Sequence, residues 1–70
     1  MIVWIARDSN GELFMFNQEP RREGHFFVAQ KYKEEATQWW SLPSDQLPEV
    51  TWENSPKKYE LKMILQSVQK

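Results

Sequence analysis

The sequence predicts a small, mainly β domain, and three features carry that prediction. Both ends of the chain contain runs in which apolar and β-branched residues follow a period of two, which is typical of strands. Asn10-Gly11 stands between two such runs, and this pair readily takes the positive φ angles of tight hairpin turns. Ten aromatic residues supply the packing that a short chain without cysteine needs. We therefore expect a small antiparallel meander or partly open barrel of four to five strands, with at most one short helical turn.

A chain of 70 residues has room for one core, so residues 1–70 are expected to form a single domain. The free energy of unfolding of such a domain is about 5 kcal/mol, and each large core side chain therefore matters. The core residues predicted from the most β-like runs are Trp4, Phe14 or Phe16, Trp52 and Leu61.

Residues 2–7 and 13–16 are expected to form the first β-hairpin. A loop of two or four residues keeps the same pairing parity, and a loop of three residues is the less favoured alternative because it mixes the two sets of side chains. The favoured loops place Val3, Ile5, Phe14 and Phe16 on one face, and Trp4, Ala6, Leu13 and Met15 on the other. Because both faces are apolar, these strands are expected to be covered on two sides or curled into a small barrel.

The middle of the chain gives weaker signals. Residues 17–24 contain proline and a charged run and are predicted to be a connection, followed by a third strand over 25–29. We expect a charged loop over 30–36 and a fourth strand over 37–42, which a proline ends. A helical turn over 31–37 is the alternative, since lysine, glutamate and alanine favour helix there.

The last third begins with a single helical turn predicted over 44–47, which Pro48 keeps short. Residues 50–52 follow as a short extended stretch. The final segment alternates, with Tyr59, Leu61, Met63 and Leu65 on one face. It is predicted to be a half-buried strand, for which the first strand is a candidate partner.

Several short motifs together resemble a known group of proteins. They are Trp4-Ile5-Ala6-Arg7-Asp8, Gly11 with Leu13 and Phe16, Leu42-Pro43-Ser44-Asp45, Pro48-Glu49-Val50-Thr51-Trp52-Glu53-Asn54-Ser55-Pro56, and Glu60-Leu61-Lys62. This pattern resembles a group of short uncharacterised bacterial proteins found in gut anaerobes and their mobile elements. The resemblance covers both ends of the chain and is poor over about 17–38. It implies a bacterial origin and brings no activity with it.

The charge balance disfavours a dedicated nucleic-acid binder. Nine lysines and arginines stand against ten acidic residues, giving a formal net charge of −1, whereas such binders usually carry a basic excess. A nucleic-acid-binding small β-barrel remains the alternative function, provided that Arg21, Arg22, Lys31 and Lys33 gather on one face. No apolar run is long enough to span a membrane and no signal peptide is evident, so a soluble, cytoplasmic protein is expected.

Residues able to carry chemistry are few. His25 is the single histidine and there is no cysteine, whereas a metal site normally needs three or four ligands. Gly11 and Gly24 are the only glycines, which excludes a glycine-rich phosphate loop, and Ser44 lacks a base and is better explained as a turn cap. We therefore expect no enzyme, no catalytic or metal-binding residue and no cofactor.

The neighbouring Trp39 and Trp40 are the most informative feature for function. Adjacent residues of a strand face opposite ways, so one indole is expected to enter the core and the other to lie on the outer face. The second indole either packs under the loop over 30–36 or remains an exposed anchor for a partner. We expect a non-catalytic protein-interaction or accessory module that binds another protein or a second copy of itself. The candidate interaction surface comprises Trp39, Trp40, Lys31 and Lys33.

Overall fold

The computed structural model describes residues 1–33 and 35–60, and over these residues the chain forms eight short strands and no helix. The strands are β1 (Ile2–Arg7), β2 (Leu13–Phe16), β3 (Arg21–Glu23), β4 (Phe26–Val28), β5 (Lys31–Tyr32), β6 (Glu35–Ala36), β7 (Trp39–Leu42) and β8 (Lys57–Glu60). A four-stranded antiparallel sheet has the order β7-β2-β1-β8, and β3-β4 and β5-β6 form two separate hairpins. The mainly β prediction is confirmed, and the principal sheet is open rather than closed into a barrel.

The β1-β2 hairpin has a three-residue loop over 9–11, closed by pairing between Asp8 and Glu12. A loop of this length is the less favoured alternative of the sequence prediction. The Asp8 amide donates to the Glu12 carbonyl at 2.8 Å, and the Gly11 amide donates to the Asp8 carbonyl at 2.9 Å. Gly11 has a φ of 96°, and Asn10 caps the loop by accepting a hydrogen bond from the Glu12 amide. Glycine takes this positive φ without a steric penalty, which is why a three-residue loop with glycine at its end closes the hairpin.

This loop length reverses the predicted faces of β2. The observed register aligns Ile5 with Met15 and Ala6 with Phe14. A shift of one residue moves a whole strand to the other face, so the predicted grouping of Val3 and Ile5 with Phe14 is wrong. One face of the sheet therefore carries aliphatic side chains and the other carries most of the aromatic ones.

The aliphatic face is covered by the segment that follows β7. Val3, Ile5, Leu13 and Val50 form its buried cluster. Arg7 holds that segment in place, because its guanidinium directs five hydrogen bonds of 2.6–3.1 Å to the carbonyl oxygens of Gly11, Ser44, Gln46, Leu47 and Val50. Residues 44–47, predicted as a helical turn, instead form a turn in which the Gln46 amide donates to the Pro43 carbonyl.

The aromatic face is covered by the β3-β4 hairpin. Phe27 is buried against Ala6 and Phe16, and its amide donates to Oδ1 of Asp8 at 3.0 Å. The guanidinium carbon of Arg22 lies over the Trp52 ring, 3.9 Å from its centroid. Residues 17–24 were predicted to be only a connection, but they contain β3, because pairing with β4 satisfies its backbone groups. The prediction that the first hairpin is covered on two sides is correct.

The remaining elements agree only in part with the sequence predictions. The predicted loop over 30–36 is the small β5-β6 hairpin, with Lys33 at a φ of 57° in its turn. Strand β7 lies within the strand predicted over 37–42 and begins two residues later. Residues 50–52, predicted as a short extended stretch, pair with no strand among the described residues, whereas β8 pairs with β1, its candidate partner. Residues 61–70, including the predicted core residue Leu61, lie outside the described part of the chain.

The other core predictions are met in part. Phe16 is buried, with 2% of its surface exposed, whereas Trp4, Phe14 and Trp52 are partly buried and pack around it and its neighbours. These three aromatic residues therefore border the core, and aliphatic side chains such as Leu13 and Val50 are its largest fully buried members.

Candidate functional site

Strand β7 forms one edge of the four-stranded sheet, with β2 on its inner side. The Asn17 amide donates to the Gln38 carbonyl, and the Gln38 amide donates back to the side-chain Oδ1 of Asn17, so these residues occupy a hydrogen-bonded position at the end of the ladder. Hydrogen-bonded and non-bonded pairs alternate in an antiparallel ladder. Trp39 and Ser41 therefore occupy non-bonded positions, and their N–H and C=O groups point away from β2. The outer side of β7 presents backbone groups that an added strand can pair with.

Both tryptophans of β7 are exposed. Trp39 is aligned with Phe16 and Trp40 with Met15, so the two indoles lie on opposite faces of the sheet, as alternation predicts. Their exposed fractions are 55% and 44%, so the expectation that one indole enters the core is wrong. The physical reason is position, since within residues 1–33 and 35–60 the segments that cover the sheet pack over β1 and β2 rather than over β7.

Lys31 and Lys33, the other two residues of the candidate interaction surface, lie on the β5-β6 hairpin and are exposed. The Thr37 amide donates to the Gln30 carbonyl and thereby closes this hairpin at the point where the chain enters β7. Over residues 1–33 and 35–60, no hydrogen bond or cation–π contact joins either lysine to an indole. Of the four candidate residues, Trp39 and Trp40 are thus the two that lie together on an exposed edge strand.

An aromatic cleft of about 270 Å³ opens beside β7 on the Trp39 face. Its walls come from β2, β4 and β7, and they comprise Phe14, Phe16, Phe26, Phe27, Val28, Ala29 and Trp39, with Asp8 as the charged member. The rings of Phe14 and Trp39 meet edge to face, with centroids 5.7 Å apart and planes at 78°. This contact favours one orientation of the Trp39 indole at the junction of the cleft and the strand edge.

Asp8 has no part in any site predicted from the sequence. In the fold it is 7% exposed, and its Oδ1 accepts the Phe27 amide hydrogen bond. Burial raises the pKa of the Asp8 carboxyl, the bond from Phe27 opposes that rise, and the charge of Glu12 adds to it. The local signal in the sequence was an acidic residue directly after an apolar strand, but the distant Phe27 makes the site.

The arginines are engaged within the protein. Arg7 donates all of its guanidinium hydrogens to carbonyl oxygens, and Arg22 donates to the carbonyl of Trp52 at 2.7 Å while lying on its ring. Arg21 forms an exposed ion pair of 2.7 Å with Glu23. These contacts stabilise loops and hairpins, and they occupy Arg21 and Arg22 with partners inside the protein.

Three further results concern this site and the chain as a whole. Among the described residues, no group of three or more histidine, cysteine, aspartate or glutamate side chains is placed to hold a metal ion. None of the described segments is a helix long and apolar enough to cross a membrane. Comparisons of the chain with protein-family models, with curated proteins and with solved structures found no match.

Proposed function

We propose that this protein is a non-catalytic protein-interaction module that binds an extended segment of a partner protein along β7. The observation that carries the proposal is the open, uncharged edge Trp39-Trp40-Ser41-Leu42, which displays an exposed indole on each face. Addition of a strand to an exposed sheet edge is a recurrent mode of peptide recognition, in which main-chain hydrogen bonds give affinity and side-chain contacts give specificity.

The two indoles set the scale of the interaction. About half of each side chain is exposed, which leaves roughly 200 Å² of indole surface to bury. Burial of that area stabilises a complex by roughly 5 kcal/mol, whereas association costs about 4–15 kcal/mol of lost freedom. Backbone hydrogen bonds to Trp39 and Ser41 and further contacts must supply the rest. We therefore expect weak, transient binding, with a dissociation constant on the order of micromolar.

The alternative of a nucleic-acid-binding barrel has less support. Affinity for nucleic acid depends mainly on cations that neutralise phosphates, and the formal net charge of the chain is −1. Arg21 pairs with Glu23, and Arg22 is held by the carbonyl oxygens of Trp52 and Ser55. Binding to a random oligonucleotide with submicromolar, salt-dependent affinity would contradict the proposed function.

The test uses variants of the β7 edge. A partner is captured from a bacterial lysate, identified and purified, and its dissociation constant is then measured by calorimetry against each variant. Trp39→Ala and Trp40→Ala should weaken binding at least tenfold, because each removes an anchor. Ser41→Pro should do the same, because it removes an outward N–H at a position where an edge strand tolerates proline.

Ile2→Ala is the matched control, since Ile2 is exposed to a similar extent as Trp40 but lies away from β7. This variant should bind with unchanged affinity. Circular dichroism and thermal unfolding confirm that each variant is folded. A partner that binds the folded Ser41→Pro variant as tightly as the parent protein would refute strand addition at β7.

A further inference from the structure

The aromatic cleft contains a carboxylate without a cation. Oδ1 of Asp8 accepts the Phe27 amide, and over residues 1–33 and 35–60 no side chain or backbone group donates to Oδ2. Arg7, its neighbour along the chain, donates its guanidinium hydrogen bonds to backbone carbonyl oxygens instead. Asp8 as a residue is 7% exposed, so its carboxyl is largely removed from water while it accepts one hydrogen bond. Such desolvation of a carboxylate is unfavourable, and in a cleft it makes the group a candidate for binding a ligand.

The walls of the cleft suit a cation. Five aromatic side chains line the cleft together with Asp8, and the face of an aromatic ring carries negative electrostatic potential that attracts ammonium and guanidinium groups. An anion would be repelled by Asp8 and by the nearby Glu12, and an apolar group would leave the carboxylate unpaired. Charge complementarity therefore selects a cationic occupant.

The size of the cleft limits what that cation is. Its volume of about 270 Å³ is below the roughly 300–1,000 Å³ of pockets that hold a whole small-molecule ligand. It has room for the end of a side chain. Trp39 belongs both to the cleft and to the open edge, and a strand added at β7 places every second side chain on the Trp39 face.

We propose that the cleft receives a lysine or arginine side chain from the segment that adds to β7, with the aromatic rings around its charged end and Asp8 as its counter-ion. This inference rests on the proposed function, since the same segment supplies both the strand and the cation. It defines the partner as an extended segment with a basic residue on alternate, cleft-facing positions.

The first experiment tests the cleft alone with small probes. N-acetyl-lysine methylamide, N-acetyl-arginine methylamide and the uncharged norleucine analogue are titrated into the full chain, and NMR shifts of the Trp39 indole and the Phe27 amide are recorded. The two cationic probes should shift both signals at millimolar concentration, and the norleucine analogue should not. Equal shifts from all three probes would overturn the proposal.

Asp8→Asn is the deciding variant, because asparagine keeps an acceptor for the Phe27 amide and removes the charge. It should weaken binding of the cationic probes at least tenfold while the thermal unfolding temperature is not lowered. Glu12→Gln is the matched control, since Glu12 lies near Asp8 but does not line the cleft. Loss of binding of similar size in both variants would point to general charge attraction and would overturn the assignment of Asp8.

The second experiment separates the cleft from strand addition. Short alternating threonine–valine peptides carrying lysine, arginine or norleucine at their centre are titrated into the parent chain, Asp8→Asn and Ser41→Pro. The basic peptides should bind at least tenfold more tightly than the norleucine peptide, and both variants should lose that advantage.

The outcomes distinguish the two proposals. Equal binding of the basic and norleucine peptides to the parent chain, lost in Ser41→Pro, supports strand addition and overturns the cation site. Binding of the small cations without binding of any peptide supports the cation site and overturns its link to β7. Concentration-dependent dimerisation that Ser41→Pro abolishes and Asp8→Asn leaves unchanged would identify a second copy as the occupant and overturn the proposal of a basic segment.

Discussion

The two edges of the four-stranded sheet, β7 and β8, differ in chemistry. Strand β8 carries Lys57, Lys58 and Glu60 along its four residues, whereas β7 carries no charge. Charged side chains, lysine above all, are a common means of preventing edge-to-edge pairing. The difference indicates that pairing is opposed at one edge of this sheet and left open at the other.

Ring contacts sharpen the contrast. The Lys58 ammonium lies 5.7 Å from the centroid of Trp4 and covers part of an aromatic ring beside β8. At β7 the Trp39 indole is held by Phe14 but remains more than half exposed. Aromatic surface is therefore shielded by a cation at one edge and displayed at the other. A cation supplied by a partner would give Trp39 the cover that Lys58 gives Trp4.

The largest expected effect on stability comes from the aliphatic cluster, which packs against β1 and β2 between the two edge strands. Leu13 on β2 is 1% exposed and packs within the aliphatic cluster, so Leu13→Ala should lower the free energy of unfolding by about 2–5 kcal/mol. That loss approaches the whole stability expected of a domain of this size. Urea unfolding measures this loss. The control is Ile2→Ala at an exposed position, which should change the free energy of unfolding by no more than about 0.5 kcal/mol. A loss under about 1 kcal/mol for Leu13→Ala would contradict this account of the core.

The second prediction converts β7 into an edge like β8. The double variant Trp39→Lys and Trp40→Lys should weaken partner binding more than tenfold, because it removes both anchors and adds charge to the edge. Its free energy of unfolding should fall by about 0.5–1.5 kcal/mol, mainly through the lost ring contact with Phe14. Calorimetry and urea unfolding give the two values. Retained binding by this variant would remove the distinction between the edges.

The third prediction concerns pH. Burial raises the pKa of Asp8 above its ordinary value of 3.8, so the folded state holds the proton more tightly than the unfolded state does. Stability from this group is therefore greatest below pH 3.8 and falls as the pH rises through the higher folded pKa. Asp8→Asn should unfold at a higher temperature than the parent at pH 7, and the difference should shrink in acid. A lower unfolding temperature for the variant at pH 7 would contradict this explanation.

The smallest expected effect lies at the β8 edge. Lys58→Ala should change the free energy of unfolding by less than about 1 kcal/mol, because an exposed cation–π contact at 5.7 Å is weak. Partner binding at β7 should be unchanged. A loss above about 2 kcal/mol in urea unfolding would show that β8 depends on Lys58 for its stability and that shielding is not its main role.

Local patterns were enough to predict several elements. Asn10-Gly11 between two apolar runs predicted the first hairpin, and the β-prone run around Trp39 and Trp40, ended by proline, predicted β7. Alternation also placed the two indoles on opposite faces. Each of these predictions depends on residues that are neighbours in the chain, where backbone preference and periodicity act directly.

The errors have a different origin. The two-residue and four-residue loops were favoured over the three-residue loop, and the real choice depends on how Gly11 closes the turn while both strands pack. The short β3 and β5 have little apolar pattern because pairing within a hairpin, rather than burial, holds them. Asp8 could not be recognised as part of a cleft, since Phe27 and Trp39 lie far from it in the sequence.

The sequence by itself determined the class of this protein: a small, mainly β domain with a glycine-closed hairpin and an uncharged strand that carries two tryptophans. These properties follow from turn chemistry and a period of two, which act over a few residues. Only the tertiary structure decided that this strand is an edge, that both indoles stay exposed, and that the buried Asp8 lines a cleft with five aromatic side chains. Strand order and burial depend on contacts between distant segments, and those contacts form the surface through which we expect the protein to act.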